Sequence, residues 1–75
     1  MRKFDDNTET RTRMFSKRDL QAVLKNFRAN GYTVEKGDNR YEVLDGDRLV
    51  FSALNGTRSY LVRLDKELLA DEATQ

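Results

Sequence analysis

Two short stretches carry the residue types that chemistry needs. Asp45-Gly46-Asp47 sets two carboxylates around a glycine, and Gly37-Asp38-Asn39 sets a carboxylate and an amide after another. Two aspartates around a glycine suggest a calcium loop, but such a loop also needs further oxygen ligands and a closing bidentate glutamate. Those are missing here, so Asp45-Gly46-Asp47 is expected to be a turn with two solvated acids. No Walker or dinucleotide pattern surrounds Gly37, which is likewise read as a turn. Ser52, Ser59 and the tyrosines are the remaining candidate nucleophiles. The chain has no histidine to activate them and no cysteine. The commonest general base, the commonest metal ligand and the thiolate are therefore all lacking. A non-enzymatic protein with no cofactor and no metal site is expected.

Composition narrows the class further. The chain has 75 residues, enough for one domain, with 14 basic and 13 acidic residues for a net charge of +1. A chain of this size buries only ~60% of its unfolded surface. The balance does not imply nucleic acid by itself. Its distribution is uneven: residues 1–36 carry nine positive and five negative charges, and residues 37–75 carry five and eight. No apolar run approaches the ~20 residues of a membrane span, and the N-terminus lacks the apolar core of a signal peptide. Lack of cysteine fits a reducing compartment. Cytoplasmic location without membrane contact is expected.

The elements that would position any site follow from hydrophobic periodicity. Residues 1–13 show no apolar period and are read as a flexible arm, with 14–75 as the single folded domain. Ser16 is a natural N-cap, with Asp19 three residues later, and Phe15 and Leu20 bracket it as a hydrophobic staple. Leu20, Val23, Leu24 and Phe27 then follow helical spacing, and Asn30-Gly31 supplies the stop. From Tyr32 the period changes to two. Four strands are expected at 32–35, 40–44, 48–54 and 58–64, separated by turn chemistry. Asn55-Gly56 reads as a two-residue type I′ turn, pairing Phe51 with Tyr60 and Leu49 with Val62. A three-residue loop at 45–47 with a bulge would pair Val43 with Leu49, and a loop at 36–39 would pair Val34 with Tyr41. Asp65 would cap a short second helix with Leu68 and Leu69 as its apolar contacts. The expected fold is α+β, a two-layer sandwich of order α-β-β-β-β-α. A four-stranded antiparallel meander packs its Tyr32, Val34, Tyr41, Val43, Leu49, Phe51, Tyr60 and Val62 face against the first helix.

Two surfaces are candidates for binding. The outer sheet face would hold Val50 and Leu61 opposed across two strands, with Arg48 and Arg63 opposed beside them. A like-charge pair next to an apolar spot is a seat for a partner's carboxylate. The other surface is a basic strip of Lys17, Arg18, Lys25 and Arg28 along one flank of the helix, extended by Arg11 and Arg13, which would track phosphates. The leading expectation is a small protein-binding regulator or adaptor, in style like those that phages encode. It would dock on another protein or on itself as a homodimer through Arg48, Val50, Leu61 and Arg63. The alternative is a nucleic-acid-binding module using residues 11–28.

Overall fold

A computed structural model describes residues 3–68 of the chain. In chain order the elements are strand β1 (Thr10–Phe15), helix α1 (Lys17–Ala29), strands β2 (Thr33–Lys36), β3 (Arg40–Asp45), β4 (Arg48–Asn55) and β5 (Tyr60–Asp65), and a 3-10 turn at Lys66–Leu68. The strands form one antiparallel sheet in the order β1-β5-β4-β3-β2, with α1 across one face. Among the described residues the architecture is thus α+β with five strands and one α-helix, where four strands and two helices were expected. Residues 10–13, expected in the arm, belong to the edge strand β1. The expected second helix begins as the 3-10 turn; its remainder, with Leu69, lies outside the described residues.

Local signals build α1 as expected. The Ser16 side chain accepts a hydrogen bond from the Asp19 N–H at 3.1 Å, satisfying one of the orphan donors of the first turn. At the other end the Gly31 N–H donates to the Arg28 carbonyl and the Tyr32 N–H to the Phe27 carbonyl. That pair of bonds needs a left-handed residue between them, and Gly31 supplies it with φ 87°. The Tyr32 ring then packs edge-on against Phe27 at 5.2 Å, locking the chain's exit toward β2.

Strand registers differ from expectation, each for a physical reason. The β3–β4 turn uses two residues, Gly46 and Asp47, so that Asp45 pairs with Arg48 and Leu44 with Leu49. Gly46 has φ 65°, a positive value at the first central position only, as a type II′ turn requires. Val50 is then left unpaired as a bulge, and Val43 meets Phe51. The bulge lets Val50 and Phe51 both join the helix-side core, which moves Leu49 to the opposite face.

Asn55 and Gly56 do not form the β4–β5 turn. Asn55 pairs with Tyr60, and the Gly56 N–H donates to the Ser59 carbonyl at 2.9 Å, so Thr57-Arg58 is the turn centre. Gly56 is required by contact: a Cβ there would lie 2.7 Å from the Ser59 carbonyl oxygen. Phe51 consequently opposes Leu64 instead of Tyr60, a slip of four residues. In β2–β3, Val34 opposes Val43 instead of Tyr41, a slip of two. Even slips change partners but preserve faces.

The core joins Leu20, Val23, Leu24 and Phe27 of α1 to Val43, Val50, Phe51, Ala53, Val62 and Leu64 of the sheet. Phe51 stands at its centre, edge-on to Phe27 at 5.1 Å and to Phe15 at 6.2 Å. Phe51→Ala is expected to cost ~3–5 kcal/mol, and Val50→Ala about 2 kcal/mol from its two lost carbons. Leu61→Ala, on the exposed face, should stay within ~0.5 kcal/mol. Urea denaturation of the three variants checks the ranking, and a Val50 variant as mild as the Leu61 one would refute the bulge. Gly56→Ala should cost ~1–3 kcal/mol, because a backbone oxygen must give way; a neutral result in the same assay would refute the close approach.

Candidate functional site

The face of the sheet away from α1 can be read row by row from the registers. Met14, Leu61, Leu54 and Arg40 stand side by side across β1, β5, β4 and β3. Met14, Leu54 and Leu61 are 65%, 51% and 46% exposed, and they are the exposed large apolar residues among those described. All of them fall in this one row. The next row runs Thr12, Arg63, Ser52, Glu42 and Glu35. There Arg40 reaches back to the Glu42 carboxylate at 3.1 Å, and the Arg63 Nε donates to the Thr10 hydroxyl at 3.0 Å.

The N-terminal segment crosses the rest of this face. Phe4 lies over the Arg63 guanidinium at 5.2 Å. Beneath the segment is a cleft of about 490 Å³ whose walls include Lys3, Arg40 and Arg63 against Asp5 and Asp6. Both cations and acids line it, so it favours neither sign of ligand. Beyond the cleft, Arg48 donates to the Asp65 carboxylate at 2.6 Å and approaches Asp5 at 3.7 Å. The same carboxylate accepts the Glu67 N–H at 3.0 Å, and the Lys66 N–H donates to the Glu9 carbonyl. Arg48 thus ties the start of β4 to the end of β5 and to the segment preceding β1.

Of the expected docking set, the structure brings Leu61 and Arg63 together on this face. Val50 is buried in the helix-side core at 1% exposure, and Arg48 is engaged by Asp65. The expected oppositions are replaced: Leu61 faces Leu54, and Arg63 faces Ser52. Met14 and Leu54 are the members that sequence reasoning missed. Leu54 was hidden by the turn slip. Met14 was signalled by the alternation Thr10-Arg11-Thr12-Arg13-Met14, strand-like but polar on both faces.

The basic strip also divides. Lys17, Arg18, Lys25 and Arg28 are exposed on α1. On that flank Gln21 donates to the Tyr41 hydroxyl of β3 at 3.4 Å, and Lys36 of β2 lies 5.9 Å from the Tyr41 ring. Tyr60 neighbours Tyr41 at 6.1 Å. Arg11 and Arg13 stand instead on β1, at the other edge of the sheet. Lys36, not the β1 arginines, adjoins the mid-helix strip.

Asp45 ends β3 and Asp47 stands in the exposed hairpin turn, and among the described residues no three carboxylates gather as a metal site. No described helix is long and apolar enough to cross a membrane. No family model matches the sequence, and no curated protein or solved structure matches it at a significant level.

The carboxylate of Asp65 is 4% exposed and its Arg48 partner 42%. Arg48→Met leaves that buried charge without its cation and should cost about 1–3 kcal/mol, less than for a fully buried pair. Adding Asp65→Asn should recover part of the loss. A double-mutant cycle by chemical denaturation with no coupling would show that the clamp contributes nothing.

Proposed function

We propose that this protein is a non-enzymatic protein-binding module that docks through the sheet face opposite its helix. The observation that carries the reading is the collection of Met14, Leu61 and Leu54 into one cross-strand row. Isolated exposed apolar side chains are ordinary, whereas a contiguous apolar strip with a polar margin is the pattern of a docking surface. Arg63 and Arg40 border the strip and supply charge-assisted hydrogen bonds to a partner carboxylate. Leu61, in the middle of the row, is the residue on which docking should depend most.

The second reading is nucleic-acid binding on the α1 flank. Lys36 and the Tyr41–Tyr60 pair favour it, since basic groups with neighbouring aromatic rings suit a single strand. Phosphate contacts carry a steep salt dependence that an apolar row lacks.

Leu61→Glu should leave stability nearly unchanged and abolish capture of the partner from nuclease-treated lysate of the source cells, or dissociate a homodimer by sedimentation. Lys25→Glu with Arg28→Glu should leave both intact. Loss of binding with the helix pair alone, together with a steep salt slope on an oligonucleotide, would overturn the protein-docking reading in favour of the second.

A further inference from the structure

We infer that the free edge of β1 accepts an extended acidic segment of a partner protein as a sixth, antiparallel strand. The inference rests on the protein-docking reading and specifies the partner's chemistry. β1 pairs with β5 on one side, and among the described residues no strand pairs with its other side. Its register runs unbroken from Thr10 to Phe15, and Arg11, Thr12, Arg13 and Met14 are all exposed. An edge of this kind presents unpaired N–H and C=O groups, a template for another strand unless charge, a bulge or proline blocks it. The chain has no proline, so arginine is the device used here. The opposite edge, β2, is shorter and carries both Glu35 and Lys36.

The arginines decide which strand can add. Arg11 opposes Leu64 and Arg13 opposes Val62, so both lie on the helix side, while Met14 lies on the outer side. Antiparallel pairing of two copies centred on Arg11, Thr12 or Arg13 would set arginine against arginine, which is unfavourable. A strand with acids opposite Arg13 and Arg11 reverses that penalty. An apolar residue opposite Met14 would also extend the Met14–Leu61–Leu54 row by one position. Read from its own N-terminus, the antiparallel partner strand has the order apolar, acidic, any, acidic. Main-chain bonds supply affinity and alternate side chains the selection, as in other strand additions.

The test uses the full chain and a labelled synthetic peptide, Thr-Val-Glu-Thr-Glu-Thr, titrated by fluorescence anisotropy. Saturable binding is expected, with the Lys-for-Glu peptide roughly tenfold weaker. Arg11→Glu with Arg13→Glu, checked for folding by circular dichroism, should invert that preference. Methylating alternate backbone nitrogens on the edge facing β1 should abolish binding. No saturable binding, equal binding of the two peptides, or binding that survives methylation would overturn the inference. So would tighter binding of oligothymidine at the same ionic strength, competed by the peptide, which would assign the two arginines to phosphates. Partner capture that is lost in Leu61→Glu, with no peptide binding to the unaltered chain, would overturn strand addition alone and leave outer-face docking standing.

Discussion

The turn at Gly46-Asp47 fixes a register that, continued unbroken, would point Phe51 and Ala53 away from the helix. The unpaired Val50 cancels it. A broken ladder position forfeits one hydrogen bond, a net loss of ~0.5–1.5 kcal/mol. Turning Phe51 inward buries a side chain worth ~1.5–3 kcal/mol, with Ala53 added to it. The bulge is therefore the cheaper arrangement, and the rest of the helix side depends on it. Phe51 meets Phe27, which anchors the end of α1, and Phe15, which delivers β1 into α1. It also lies between Val43 and Leu64 in the sheet. Helix α1 and strands β1, β3 and β5 each contribute a partner to this residue.

The outer face is held by different forces. Leu44 and Leu49 are buried there but outside the helix-side cluster. Around them the contacts are polar, centred on Arg48 with Asp65 and Asp5. The N-terminal segment is joined to the C-terminal end of β5: Phe4 lies over Arg63, and Glu9 holds Lys66. One half of the face is thus occupied by the segment that precedes β1. The apolar row occupies the other half, near the β4–β5 turn. That division leaves Leu61 and Leu54 accessible while Leu49, on the same strand, is not.

How legible this was depended on whether a signal was local. Ser16, the helical spacing from Leu20 to Phe27, and Gly31 act within one turn of chain, and each does in the structure what its type suggests. Strand faces were nearly as legible, because the period of two survives an even slip. Val34, Val43, Phe51 and Val62 kept their side although every pairing among them changed. Register was not legible. Asn55-Gly56 has the composition of a primed turn, yet its glycine answers to the Ser59 carbonyl, a contact that sequence does not display. The exchange of Leu49 for Val50 followed from a bulge whose existence was expected but whose position was set by burial across the sheet. β1 was missed because both its faces are polar, which removes the apolar contrast on which pattern reading relies. The site inherited these errors: Leu61 and Arg63 stand on the expected face, whereas Val50 lies in the helix-side core and Arg48 is taken up by Asp65.

The place of the apolar row in the sheet bears on how a partner can be held. A standard stable interface buries ~800 Å² on each side, well beyond three half-exposed side chains in one row. The row alone therefore orients a partner without securing it. It does not end in the middle of the sheet, however. Met14 brings it to the free edge, where unsatisfied main-chain groups lie beside the last apolar side chain. A partner on the row is then already within reach of the backbone of β1, and one strand can contribute to both contacts. Arg11 and Arg13 stand on the far side of that same strand and oppose, by charge, a second copy paired about Arg11, Thr12 or Arg13. An edge that repels its own kind can remain open without polymerising. The same two charges that keep it free also dictate the sign of whatever occupies it.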